Sequence, residues 1–583
     1  MARPTAKPAS IALAWGRLPL EAFSIFPDLP IIFAALAMFY VVLAMTHYWM
    51  APANAQAEIS LAPAALPKYA MFSVLRIAVA YLLSLAFTFV YGYIAAYNAK
   101  AERFMIPILD TLQSIPVLSF LPGVMLAMVA IFPTRQLGLE LGSIILIFTG
   151  QVWNMTFSFY SSLKSIPTEM HEVAQVCRWS WWQRFTQMEL PYATIGLVWN
   201  SMMSVAGGWF FLMACEMFVL GNRDLRLPGL GSYLQTAANA GDTRAIVLGL
   251  AAMIGVIVLI DQLIWRPVIA WAEKFKFEQV EAAEAPRSAV LDFVRHSRIL
   301  PFAARYSIKP AREFLNLFFA RRHELEQVDH PRGRISKWLV RALLAAALIG
   351  IVFAFVKMCL VLAGLSWHEV SGILRGAGAT FLRVEFVLLL AGFWTIPAGV
   401  IIGLHPKLSA IAQPIAQIAA SVPATALFPI LLLVLIRAGG GLGIGSIVLL
   451  LLGTQWYILF NVIAGAIALP TDLKEVCGVF RFGTGEQWRD LYLPGIFPYL
   501  VTGFVTASGG AWNASIIAEY FHFKGQTFST VGLGAVISSA TDSGNFRVLL
   551  AATILMAAIV VTINRTVWRR LYALAATKYK LES

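Results

Sequence analysis

The chain has 583 residues, of which 59% are apolar and only 13% charged. Soluble globular proteins carry about a quarter charged residues, so a water-solvated fold is excluded and an all-α polytopic membrane protein is expected. The net charge of +13 invites a nucleic-acid reading, but basic loops are what membrane topology demands, and no nucleic-acid partner is expected.

In chain order, residues 1–30 form an N-terminal segment carrying Arg3, Lys7 and Arg17. It does not read as a cleaved signal peptide, because some thirty residues precede the first apolar run. Twelve candidate spans follow. Six lie in residues 31–276: Ile31–Met50, Met71–Tyr97, Val117–Phe132, Gly142–Leu163, Ile195–Leu220 and Ala245–Ile264. Six lie in residues 338–583: Leu339–Leu362, Thr380–Gly403, Ala424–Leu435, Gly443–Ala466, Ile496–Tyr520 and Phe546–Val567. Most are long enough to cross a hydrocarbon core of about 30 Å. The third of each set is short and contains a proline, Pro122 or Pro429. Between the halves, residues 277–337 read as a polar linker, with Val290–Val294 and Phe314–Ala320 as short surface helices. The stretch Glu273–Lys337 holds thirteen Lys and Arg, and the tail adds Arg565, Arg569, Arg570, Lys578 and Lys580. The positive-inside rule places the N-terminal segment, this linker and the tail in the cytoplasm. Six spans per half satisfy that requirement.

The chain repeats itself. A shift of 303 residues aligns Trp153 with Trp456, Pro167 with Pro470, Glu172 with Glu475 and Arg178 with Arg481. The same shift aligns Leu190-Pro191 with Leu493-Pro494, Trp209 with Trp512, Glu216 with Glu519 and Gly229-Leu230-Gly231 with Gly532-Leu533-Gly534. Upstream the shift is 307, pairing Arg76 with Arg383 and Ser114-Ile115-Pro116 with Ser421-Val422-Pro423. Trp, Glu, Arg and Pro do not match in one register by chance. Both halves share one topology, the signature of a parallel repeat about an axis normal to the membrane.

The loops at 164–191 and 467–494, both on the cytoplasmic side, are unusually long. The first reads as two short helical pieces. Pro167 suits a helix entry, with Thr168 and Glu172 as a cap region. The second piece, Trp181–Met188, carries Trp182 and Phe185 on one face, and Leu190-Pro191 ends it. Such a piece suits either an anchor on the membrane surface or a plug for another protein's groove. Its repetition at matched spacing favours the plug.

These loops resemble the EAA motif of ABC importer permeases. The first copy offers Glu172-Val173-Ala174, Arg178 at the usual glycine place, Arg184 within the second piece, and Met188 before Leu190-Pro191. The second offers Glu475-Val476-Cys477, Arg481, and Leu491 before Leu493-Pro494. Both depart from the motif alike, with Arg where glycine makes the turn between the two helices. The resemblance implies two permeases fused in one chain, with each loop a coupling helix docked on an ABC ATPase subunit. It implies two such subunits, a homodimer, which bind the ATP and Mg. It also implies a periplasmic or lipid-anchored substrate-binding protein and a bacterial cytoplasmic (inner) membrane location with both termini inside. Glu216-Met217 and Gly229-Leu230-Gly231, with their copies, resemble the branch that imports nitrate, sulfonates, taurine or bicarbonate. The chain has no Gly-Lys pair, so it lacks a phosphate-binding loop of its own. No cofactor, metal centre or catalytic site is expected. The alternative is a twelve-span secondary transporter, but AAYNAKAERF between spans two and three lacks the Gly-x-x-x-Asp-Arg/Lys signature expected there.

Polar groups inside spans are costly and mark either a route or a structural pairing. The route candidates are Asn154, Trp209, Glu216, Tyr457, Trp512, Asn513 and Glu519, with Arg76 and Arg383 near the outer ends of spans two and eight. For the glutamates and arginines, pairing with one another or with backbone competes with a place on the route. Fusion of the halves permits asymmetric pairs such as Phe210 with Asn513, and Asn154 with Tyr457, which a homodimer would forbid.

Overall fold

The computed structural model describes residues 48–50, 58–133, 136–220, 223–275, 288–296, scattered positions between 305 and 318, 334–437, 441–523 and 526–578. The apolar stretches are helices, since in hydrocarbon each backbone N–H and C=O must bond within its own segment. The first half contains α1 (Leu66–Tyr97), α2 (Ala99–Ser114), α3 (Leu121–Ile131), α4 (Leu137–Lys164), α5 (Thr168–Val176), α6 (Trp181–Glu216), α7 (Leu230–Ala240) and α8 (Thr243–Phe275). In the linker, α9 (Ala289–His296) contains the expected surface piece Val290–Val294. Only some residues of the other piece, Phe314–Ala320, are described. The second half contains α10 (Arg334–Leu362), α11 (Trp367–Leu404), α12 (Pro406–Ser421), α13 (Ala424–Arg437), α14 (Leu442–Ile467), α15 (Thr471–Val479), α16 (Thr484–Ala518), α17 (Leu533–Asp542) and α18 (Phe546–Ala575). Two antiparallel hairpins complete the described fold. In the first, β1 (Val219–Leu220) pairs with β2 (Arg223–Asp224). In the second, β3 (Tyr520–Phe523) pairs with β4 (Gln526–Ser529), Tyr520 opposite Ser529.

Among the described residues eight helices are long and apolar enough to cross a membrane, or ten if each bent pair counts as one span. Of the other two expected spans, Ile31–Met50 lies outside the described residues apart from its last three, and Leu339–Leu362 lies within α10, which is not among the eight. The expected third spans are not straight crossings. Each is the second arm of a bent pair, α2 with α3 at 85° and α12 with α13 at 78°. The cause is local. Proline disfavours the helical region for the residue before it. Ile115 before Pro116 (φ −83°, ψ 130°) and Val422 before Pro423 (φ −75°, ψ 117°) are accordingly extended.

Leu190-Pro191 and Leu493-Pro494 do not end their helices, contrary to the sequence expectation. Helices α6 and α16 run through them, each with a wider π turn just before the proline, at Phe185–Glu189 and Gln487–Tyr492. A π turn relieves the clash between the proline ring and the carbonyl four residues back. Two further π turns, Asp261–Trp265 and Asn564–Trp568, are also 303 residues apart. The first precedes Pro267 and the second has Arg570 in that place, so there the repeat keeps the turn without the proline.

Within each half, three long helices pack together: α1, α4 and α6 in the first, α11, α14 and α16 in the second. The halves meet where each bent pair lies against the other half. Leu118 N–H donates to Asn513 Oδ1 (3.4 Å), Thr553 Oγ1 to the Ser119 carbonyl (3.4 Å) and Gln417 Nε2 to Asp261 Oδ1 (3.3 Å).

Candidate coupling loops and translocation route

The two loops adopt one geometry. Helix α5 begins after Pro167 and α15 after Pro470, and neither first turn has a side-chain cap. Thr168 is thus the first helical residue rather than a capping one. Each helix ends at a residue with positive φ, Arg178 at 49° and Arg481 at 51°, the only such non-glycine residues among those described. The closing hydrogen bonds form a Schellman motif at both ends. Trp179 N–H donates to the Ala174 carbonyl (3.0 Å) and Arg178 N–H to that of Gln175 (3.0 Å). Phe482 N–H donates to the Cys477 carbonyl (2.9 Å) and Arg481 N–H to that of Gly478 (3.1 Å). The arginines therefore make the same left-handed turn that glycine makes in the motif, at a cost of roughly 1–2 kcal/mol each.

The turn leaves a defined face outward. Glu172 and Glu475 are exposed, as are Val176 (84%) and Val479 (78%), while Ala174 and Cys477 are buried at the base. Beyond the first turn, Ser180 and Gln183 form a reciprocal capping box. Arg184 then reaches the Tyr93 hydroxyl (2.7 Å) and pairs with the buried Glu189 carboxylate at 2.7 Å, out of line for a hydrogen bond. Leu190 and Pro191 are half-buried; of their copies, Leu493 is exposed and Pro494 half-buried.

At the opposite end the glutamate and arginine candidates come together. Arg76 is fully buried. It holds Glu140 through two parallel bonds (Nε to Oε2 2.7 Å, Nη2 to Oε1 2.6 Å) and Glu216 through Nη1 (2.7 Å). Glu216 also accepts from Ser73 Oγ (2.7 Å) and Gly231 N–H (2.7 Å). In the second half Glu519 accepts from Arg383, Thr380 Oγ1 (2.7 Å) and Gly534 N–H (2.8 Å). The Gly-Leu-Gly tripeptides allow this close approach. A Cβ on Gly229 would lie 2.2 Å from Glu216 Oε1, and one on Gly532 2.1 Å from Glu519 Oε2. Each glutamate thus ties the first turn of α7 or α17 to α1 or α11. Here the pairing reading describes the geometry, since each glutamate is bonded to the arginine of its own half. Glu140, absent from the sequence candidates, has Gly443 as its counterpart, so the second cluster lacks the second carboxylate.

Trp209 and Trp512 are buried in the core, Asn513 bridges the halves, and Asn154 and Tyr457 are half-buried. Nearby, Gln151 is fully buried with both amide atoms unpartnered, and the Thr425 hydroxyl and Trp512 Nε1 are likewise buried without a partner. Buried polar groups left unpaired are unusual and call for water or a solute. A cavity of about 440 Å³ opens between the halves at the end away from the coupling loops. The first half lends it Arg226, Gln235 and Asn239; the second lends Tyr520, His522 and Asp542. Tyr520 Oη donates to Asp542 (2.8 Å), His522 Nε2 lies 2.9 Å from the same oxygen, and Gln235 Nε2 donates across the halves to the His522 carbonyl (3.0 Å). Burial, reinforced by the Asp542 carboxylate, pushes the Tyr520 phenol up to about 12, so it remains a donor. None of these cavity residues was a sequence candidate. Their repeat partners differ in type (Met217 for Tyr520, Val219 for His522, Asn239 for Asp542), and that divergence was the available signal.

Residues 88–264 and 395–576, together more than half the chain, match the family described as binding-protein-dependent transport system inner membrane component. The bicarbonate transport system permease protein CmpB of Synechococcus elongatus is 26% identical over 204 residues, 35% of this chain and 67% of that protein. The nitrate import permease protein NrtB of Leptolyngbya laminosa is 29% identical over 182 residues, 31% of this chain and 62% of that protein, under two thirds of its length. A Bacillus subtilis permease assigned provisionally to aliphatic sulfonates, SsuC, is 22% identical over 208 residues, 35% of this chain and 70% of that protein. The family unit is present twice, at the two segments that carry the matched loops. This chain belongs to the inner membrane components of binding-protein-dependent transport systems, as a fused duplicate of an ABC importer permease.

Proposed function

We propose that this chain supplies the whole membrane pathway of an ATP-driven importer of a small anion, with α5 and α15 as coupling helices for two separate ATPase subunits. The observation that carries this reading is the twin loop. Two short helices, 303 residues apart in sequence, end in the same arginine-built turn and present an exposed glutamate and valines at the same end of the molecule. The ATPases, a homodimer, bind the ATP and Mg, and the loop end faces the cytoplasm with both termini. The opposite end receives solute from a periplasmic or lipid-anchored binding protein, and the inter-half cavity is the entrance. Nitrate, bicarbonate, sulfonates and taurine are the candidate substrates, because relatives named for three of these chemistries share the family unit.

The test is reconstitution with the ATPase in proteoliposomes. Solute-stimulated ATP hydrolysis and uptake are expected, and both are expected to fall at least tenfold in the Glu172→Lys, Glu475→Lys double variant, because like charge placed at a complementary interface costs over a kcal/mol. Unchanged activity in that variant refutes the coupling assignment. Uptake driven by an ion gradient without ATP refutes the class of mechanism.

A further inference from the structure

The two coupling loops share a fold but not a fastening. In the first half the loop is bonded to α1. Arg184 donates from Nη2 to the Tyr93 hydroxyl (2.7 Å), its guanidinium carbon lies 4.8 Å from the Tyr97 ring centroid, and its Nε is 2.7 Å from the fully buried Glu189. Around it Trp181 meets Tyr93 edge-on (5.8 Å), and Phe185 meets Phe89 (5.9 Å) and Tyr93 (6.1 Å). Tyr97 also meets His171, which lies on the coupling helix itself (6.3 Å). One cluster thus joins α1, the coupling helix and the foot of α6.

Every member of that cluster is replaced in the second half. Phe89, Tyr93 and Tyr97 become Ile396, Val400 and Leu404, and His171 becomes Lys474. Arg184 and Glu189 become Gln487 and Tyr492. The new pair bonds to itself (Tyr492 Oη to Gln487 Oε1, 3.0 Å) and Gln487 Nε2 donates back to the Phe482 carbonyl (3.0 Å). Trp488 meets only Tyr492 among the ring contacts of the described residues (5.7 Å). Among those residues no hydrogen bond, ion pair or ring contact joins this loop to α11.

We infer that the two loops are mechanically unequal: the first moves as one body with α1, held by Arg184 and Glu189 as positioning residues, while the second turns on its own helix. The physical ground is that a guanidinium shared by a carboxylate, a phenol and an aromatic face is fixed in direction as well as in place. A neutral amide–phenol pair within one loop fixes nothing beyond that loop. A displacement of α5 is therefore handed to α1 directly, whereas a displacement of α15 reaches α11 through apolar packing alone. This rests on the proposal that α5 and α15 receive the ATPase motion.

The test starts from the purified full chain in nanodiscs, without ATPase, by amide hydrogen exchange. Peptides covering 168–176 are expected to exchange about tenfold more slowly than those covering 471–479, since local opening of the first loop must break the cluster. The paired variant Arg184→Gln, Glu189→Tyr installs the second half's pair and leaves no orphan charge. It is expected to bring the first loop to the rate of the second and leave 471–479 unchanged. Equal protection of the two loops in the parent chain, or an unmoved rate in the variant, overturns the inference. With the ATPase present, the same variant is expected to lose at least half of the solute moved per ATP hydrolysed. An unchanged ratio overturns the transmission role. A complex in which ATP drives no uptake at all refutes the functional proposal instead, and the exchange result still decides the fastening.

Discussion

Replacing Glu216 and Glu519 by glutamine should have unequal effects, although the two residues are repeat partners. Around Glu216 the charges are one guanidinium and two carboxylates, all fully buried, because Arg76 also holds Glu140 in a two-bond fork. Glu216→Gln leaves that fork intact and disturbs the bonds from Ser73 and Gly231, a loss of about 1–2 kcal/mol. Around Glu519 the count is one to one, with Gly443 where Glu140 would stand. Glu519→Gln strips Arg383 of its partner carboxylate. Stranding one member of a buried pair costs about 3–5 kcal/mol, and the 11% exposure of Arg383 puts the lower end of that range in play. Thermal unfolding of the purified chain, read by size-exclusion fluorescence in one detergent, should therefore rank Glu519→Gln below Glu216→Gln by several degrees. The Glu140→Gln, Glu216→Gln double variant should fall to the level of Glu519→Gln. An equal or reversed ranking refutes the charge argument and leaves only hydrogen-bond loss.

Gly532→Ala should mimic loss of Glu519, because its Cβ would sit 2.1 Å from the carboxylate oxygen; overpacking of this kind costs about 1–3 kcal/mol, read by the same melt. Arg178→Gly should leave the first coupling helix at least as protected from hydrogen exchange. Arg178→Val should raise its exchange severalfold to tenfold or more, since a β-branched residue at a φ near 49° carries about 1–3 kcal/mol of strain. Thiol labelling should be fast at Cys177, which is exposed on the coupling loop, and slow at Cys215 and Cys477, which are buried. Added ATPase should then protect Cys177, at the end of the coupling helix.

How much of this was legible in the sequence can be judged residue by residue. Membrane class, duplication and the two loops were all readable. Apolar length, basic loops and a 303-residue register are properties of the chain itself and do not depend on what lies next to what. Even the odd arginines were visible, because both copies carry them. Their left-handed turn was not, since φ depends on the hydrogen bonds that close the helix. The bend at Ile115-Pro116 was written in the proline, but a short apolar run with a proline also fits a short span. The survival of α6 through Pro191 depends on a π turn that no propensity announces.

By itself the sequence determined the fold class, the repeat and the matched chemistry of the loops, because hydrophobic length and register are one-dimensional. Only the tertiary structure decided what the charged groups do. Glu216 and Arg76 are 140 residues apart, and whether they face a route or each other is set by the packing of α1 against α6 and α7. The same holds for the fastening of the first loop, where Tyr93 meets an arginine 91 residues away. An isolated carboxylate in a span is ambiguous, because its cost can be met by a solute, by water or by a guanidinium, and the choice among them lies in three-dimensional contact.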